Sequence, residues 1–188
     1  PRNGDFTGIP VPGIQHINDI VIRDNAGVSE IYAAAGDSFY SDANATTFLG
    51  GPEFGLYKSI DGGLNWEEIS LGLTTNGNKY CPNDIEVGAD NKIWISTINS
   101  TVFGDGGGTV LSSSDGVTFE KTYEITEGNR TQITTSSSDA QKIYVLAEGS
   151  GTSPIIMEKT EDGFTSTTSM TLPNDVYDGI PANDFTNY

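Results

Sequence analysis

Three aspartates are the candidates for acid–base chemistry in this sequence. Asp19 and Asp84 stand in matching Asn-Asp-Ile runs at strand starts, and Asp37 follows a strand and opens the longest loop. Two carboxyl groups held at a fixed separation can work as a pair, one as acid and the other as base or nucleophile. Loops on a rigid scaffold are where such sites gather. The plainer role for each aspartate is turn chemistry, since Asp accepts hydrogen bonds from nearby backbone amides. A second set is aromatic: Tyr40, Phe48, Phe54 and Phe103 fall in the long loops between second and third strands. Such rings suit a sugar or a protein partner, or else anchor their own loops.

Other chemistries find little support. The one histidine, His16, cannot build a Ser-His-Asp triad or a multi-histidine metal site. Gly104–Gly108 is followed by neither Lys-Ser/Thr nor a helix, so it is not a phosphate loop. The stretches Asp37–Asn44 and Gly104-Asp105-Gly106 offer oxygen ligands of the kind Ca2+ takes, without an EF-hand or nonapeptide pattern. No residue is assigned to a metal, and no cofactor is expected beyond that calcium option.

The elements that must position these residues are set by a short recurring cassette. It reads Ser59-Ile60-Asp61-Gly62-Gly63-Leu64-Asn65-Trp66, then Ser113-Ser114-Asp115-Gly116-Val117-Thr118-Phe119, then Thr160-Glu161-Asp162-Gly163-Phe164-Thr165. Asp-Gly between strand-like runs marks a hairpin, because Gly accepts positive φ. The Asp carboxylate and the Ser or Thr hydroxyl can each take turn amides. The aromatic is expected to fold back, burying Trp66. Between cassettes run short stretches rich in β-branched and aromatic residues, divided by Gly, Asn and Asp. No window keeps a 3.6-residue period, so helices should be nearly absent. Four strands per unit, repeating about every 50 residues, is the pattern of β-propeller blades. The predicted fold class is all-β: about three four-stranded antiparallel blades (14–73, 80–126 and 129–173), with 174–188 starting a further blade at Asn183-Asp184-Phe185.

The cassettes resemble Asp-box (BNR-like) repeats, Ser-x-Asp-x-Gly-x-Thr-Trp. The first matches through Ser59, Asp61, Gly63 and Trp66. The second shortens the spacing to Gly116 and has Phe119 for Trp. The third has Thr160, Asp162 and Gly163, with Ser166 where an aromatic is expected. Over residues 14–172 the chain looks like the propellers of sialidases, xyloglucanases, sortilin-type receptors and large secreted bacterial repeat proteins. The resemblance implies that the boxes are structural and lie away from the ligand face. It also implies an extracellular or cell-surface setting. A xyloglucanase-like enzyme would use acids at the blade centre, which brings Asp19, Asp37 and Asp84 forward. A sialidase would need an arginine triad, and Arg2, Arg23 and Arg130 do not sit in that context, with Arg23 read as part of a turn.

Bulk properties narrow the partners. The 188 residues carry a net charge of −17 with nine Lys plus Arg, which argues against nucleic acid and anionic membrane surfaces. No apolar run is long enough to span a bilayer. A single cysteine, Cys81, allows no internal disulfide and reads as a buried thiol. The start at Pro1, without Met or signal peptide, reads as a mature or trimmed segment. A closed propeller takes four to eight blades, so three leave two exposed edges and an open arc, and the remaining blades are expected as partners, from the same parent or another chain. The sequence therefore reads as a non-catalytic recognition or structural module that binds glycan or protein through inter-blade loops. The alternative is a fragment of a glycoside hydrolase whose acids lie partly outside this chain.

Overall fold

Asp-Gly corners and short β-branched runs build one kind of unit three times over. The computed structural model describes residues 17–36, 54–149 and 155–172. Their twelve strands form three four-stranded antiparallel sheets in plain up-and-down order, and no helix occurs among the described residues. The first sheet holds β1 (Ile17–Asn25), β2 (Val28–Ala35), β3 (Gly55–Ser59) and β4 (Glu67–Ile69). The second holds β5 (Cys81–Val87), β6 (Ile93–Ile98), β7 (Thr109–Ser113) and β8 (Glu120–Glu124). The third holds β9 (Thr131–Thr135), β10 (Ile143–Glu148), β11 (Ile155–Thr160) and β12 (Thr168–Ser169). The first strands β1, β5 and β9 run beside one another. Successive sheets therefore stack face to face as propeller blades, each an antiparallel meander whose first strand is innermost.

The hydrophobic core lies between blades. One cluster joins Tyr32, Ala34, Leu56 and Ile69 of the first blade to Ile85, Ile93, Ile95 and Leu111 of the second. Another joins Trp94 and Val110 of the second to Ile133, Ile143, Val145 and Phe164 of the third. Cys81 is buried. Both faces of β6 are covered, which explains its unbroken run of buried residues from Ile93 to Thr97.

Each cassette closes the hairpin between the third and fourth strands of its blade. Ser59 Oγ donates to Asp61 Oδ1 at 2.8 Å, and that same oxygen accepts the amides of Leu64 and Asn65 at 3.0 and 2.9 Å. In the second turn Asp115 Oδ1 accepts from Ser113 Oγ and from the amides of Val117 and Thr118. In the third Asp162 Oδ1 accepts from Thr160 Oγ1 and the Ser166 amide. Donation by Asn65 and Ser59 holds the Asp61 carboxyl down at about 2, so the turn stays charged under all ordinary conditions.

Several details differ from the sequence reading. The first hairpin turns on Ala26 and Gly27 alone, with φ of 54° and 87°. Arg23, read from the sequence as part of a turn, belongs to β1 together with Asp24 and Asn25, because a two-residue turn with both φ positive matches the strand twist. Trp66 is not buried: it is 43% exposed and lies over its own turn, its indole donating to the Gly63 carbonyl at 3.1 Å. Phe119 is partly buried against the first cluster. In the third blade Phe164–Ser166 form the turn, and the fourth strand is reduced to Thr168–Ser169. Residues 14–16, 173 and the proposed further start at Asn183 lie outside the described residues.

Candidate functional site

The strand registers put two ends on each blade. Cassette turns occupy one. The other carries the starts of the first and third strands, the ends of the second and fourth, and the longer connections between them. Chemistry suggested by the sequence falls on this loop-rich end.

Asp19 and Asp84 are brought together there. Each sits in a bulge of an inner strand, at Ile17/Asp19 and at Pro82/Asp84. An extra residue at a bulge re-aims side chains out of the ladder, and here the Asn-Asp pair reaches the next blade. Asn18 Nδ2 donates to the Pro82 carbonyl at 2.9 Å, and Asp19 Oδ2 accepts the Ile85 amide at 2.9 Å. One blade on, Asn83 Nδ2 donates to the Thr131 carbonyl at 2.6 Å, and Asp84 Oδ2 accepts the Ile133 amide at 2.8 Å. Burial pushes the Asp84 carboxyl up and the Ile133 amide pulls it back. The hydrogen bond and charge of Asp19, with the charge of Glu86, then leave it near 6. Glu86 is raised as well, chiefly by burial. Carboxyls close enough to share a proton stand nearer than the roughly 5–9.5 Å that glycosidase pairs keep. With one oxygen of each committed to a backbone amide, this pair is arranged as a clamp between blades. Asp37, the third candidate, lies outside the described residues.

A raised carboxyl pKa has a definite consequence for stability. Its contribution is complete below the unfolded-state value near 4 and is lost as pH rises through about 6. Stability therefore falls between pH 5 and pH 7, by about 1 kcal/mol after allowance for solvent screening. Asp84→Asn keeps an acceptor for the Ile133 amide and flattens this dependence. Urea unfolding at both pH values, with His16→Gln as background, checks it; an unchanged slope in the Asn variant refutes it.

A cleft of about 420 Å³ opens on the same end, between the outer strands of the first blade and the connection to the second. Leu56, Ile69, Leu71 and Tyr80 make its apolar floor, and Glu68 and Lys79 pair across it. The exposed Leu73 extends the apolar surface at the rim. Lys79 Nζ also lies 5.4 Å from the centre of the Phe54 ring, which meets Phe103 edge-on at 6.0 Å. The two candidate aromatics thus separate. Phe54 is 1% exposed and is a loop anchor, because it fills the gap behind Lys79; Phe103 is 43% exposed. Tyr40 and Phe48 lie outside the described residues.

The calcium option at Gly104-Asp105-Gly106 meets a different arrangement. Asp105 Oδ2 accepts from Thr74 Oγ1, Asn76 Nδ2 and Asn78 Nδ2 at 2.8, 2.9 and 3.1 Å. Through Oδ2 this carboxylate ties the connection between β4 and β5, which lines the cleft, to the connection between β6 and β7. No group of three His, Cys, Asp or Glu that could hold a metal occurs among the described residues.

Sequence reasoning passed over the most heavily bonded polar cluster. Arg23, 2% exposed, donates from Nε to Glu30 Oε2 at 2.8 Å. It also donates from Nη1 and Nη2 to the Ser114 and Asp115 carbonyls at 3.2 and 3.0 Å, within the second blade's cassette. Tyr32 Oη lies 2.8 Å from Glu30 Oε2 and 3.2 Å from the Gly116 carbonyl. Burial pushes the Glu30 carboxyl up, but hydrogen bonds from Lys58, Asn25, Tyr32 and Arg23 outweigh it and bring it down to about 2. The cluster pins the second cassette to the first blade. An Arg and a Glu flanking a two-residue turn were its only trace in the sequence.

No family model matches this sequence, and no curated protein matches it. Solved structures do. The GH74 enzyme of Niastella koreensis aligns over 81% of this chain with a TM-score of 0.53 at 17% identity. The GH74 xyloglucanase of Xanthomonas campestris aligns over 82% with a TM-score of 0.54 at 15% identity. The chain spans about a fifth of the length of each, 22% and 21%. At such identities the likeness is one of fold, and with the three stacked sheets it identifies these residues as blades of a β-propeller.

Proposed function

We propose that this chain is a non-catalytic recognition segment of a larger extracellular propeller, and that it binds a neutral glycan in the cleft between the outer strands of its first blade and the connection to the second. The observation that supports this is the cleft itself. An apolar floor lies beside a charged donor–acceptor pair, Lys79 and Glu68, on the loop-rich end. Sugar rings offer an apolar face and a rim of hydroxyls, which such a surface matches. The net charge of −17 disfavours an anionic ligand. The Asp19–Asp84 pair, held by backbone amides, is unsuited to turnover.

Xyloglucan oligosaccharides are the first probe, because both structural neighbours are GH74 proteins, one of them a xyloglucanase. Titration should give saturable binding, and Lys79→Ala should weaken it at least about tenfold, worth about 1.4 kcal/mol, with no reducing sugar released. Binding that ignores Lys79→Ala and Glu68→Ala, or none at all across neutral glycans, refutes the proposal. The same two neighbours favour a second reading, a glycoside hydrolase segment. That reading requires reducing sugar to appear and Asp37→Asn to abolish it.

A further inference from the structure

Equivalent positions in the three inner strands have very different surroundings. The ladder registers align Ile17, Ile20 and Ile22 of β1 with Pro82, Ile85 and Val87 of β5 and with Thr131, Ile133 and Thr135 of β9. These residues point towards the preceding blade. Ile85 and Ile133 are 3% and 5% exposed, whereas Ile17, Ile20 and Ile22 are 52%, 58% and 64% exposed. The backbone differs in the same sense. The Ile85 and Ile133 amides donate to an aspartate of the blade before, while the Ile20 amide turns to its own Asp19 Oδ1 at 2.8 Å.

We propose that this face of β1 is an interface, and that its occupant is a further four-stranded blade with an Asn-Asp bulge on its inner strand. The two interfaces within the chain supply the argument. In each, the covering blade brings an Asp to the amide, an Asn to the carbonyl three or two residues before it, and a large ring, Tyr32 or Trp94, to the apolar floor. The β1 face repeats the receiving half of that arrangement. The third blade of a second copy would bring Gln132 where the clamp aspartate belongs, because β9 has no bulge there. A clamp-bearing blade is therefore the better match than a second copy. This interface is separate from the cleft: the proposal rests on the reading of the chain as part of a larger propeller and not on glycan binding, so failure of either leaves the other to its own test.

The test is a chain lengthened by a second copy of residues 80–128 ahead of Pro1, which supplies the Asn83-Asp84 bulge. Amide exchange at Ile20 should slow about a hundredfold, and changing only the added copy's Asp84 to Ala should restore most of the original rate. An unchanged Ile20 rate while the added blade is itself protected overturns the proposal. Should the added blade not fold, Ile22→Glu in the unextended chain decides. A melting temperature within about 2 °C of the parent is expected for an uncovered face, and a fall beyond about 5 °C would mean the face is already covered and overturn it. Reversible dimers in sedimentation that Ile22→Glu abolishes would put a second copy there and equally overturn it.

Discussion

Replacing Arg23 by alanine should lower the free energy of unfolding by about 3–5 kcal/mol, the usual cost of stripping one partner from a buried ion pair. The guanidinium does more than neutralise Glu30. It crosses the blade interface and donates to the carbonyls of Ser114 and Asp115 at 3.2 and 3.0 Å. Its loss leaves those oxygens bare and leaves Glu30, normally near pKa 2, with Lys58 as its remaining cation at 2.7 Å. Arg23→Lys should recover less than half, because an ammonium cannot reach along the same fork. Gly116 lies under the same cluster with φ of 74°, and a Cβ there would collide with the Tyr32 hydroxyl and the guanidinium. Gly116→Ala should therefore be additive with Arg23→Ala only in part. Urea unfolding followed by tryptophan fluorescence measures all three. A loss below 1 kcal/mol for Arg23→Ala would mean that the cluster does not join the blades.

What the sequence made legible follows from the range of the interaction. The cassettes close on themselves: Ser59 to Asp61, Asp61 to Leu64 and Asn65. Local bonds of that kind leave a local signature, so the turns, the four-strand units and the repeat could be read directly. The inter-blade bonds could not. Arg23 meets Asp115 from 92 residues away, and Asp84 meets Ile133 from 49. Nothing beside Asp19 or Asp84 distinguishes a carboxylate that bonds the next blade's amide from one that awaits a substrate. Both were read as catalytic candidates, and the bulge that turns them sideways had no signal beyond the Asn preceding each. The cleft was invisible for the same reason, since Glu68, Lys79 and Tyr80 come from segments with no motif.

Aromatic packing shows how a repeat misleads. Trp66, the residue that matches the repeat pattern best, lies over its own turn, while Phe164 in the poorest match is 9% exposed. The third cassette places its ring directly after Gly163 at φ of 73°, and this swings Phe164 onto the second blade. There it stacks on Tyr123 at 4.8 Å and tilts against Trp94 at 5.6 Å. Phe164→Ala should cost about 3–5 kcal/mol, the range for emptying a buried phenyl site. The backbone supplies a sharper test. Away from positive φ, glycine is less stable than alanine by roughly 0.5–1 kcal/mol. In the left-handed region a Cβ costs about 1–2 kcal/mol, so Phe164→Gly should be more stable than Phe164→Ala by about 1 kcal/mol, against the usual order. Equal unfolding midpoints, or alanine ahead, would show that the turn relaxes out of positive φ once the ring is gone, and that the stack on Tyr123 is what holds it there.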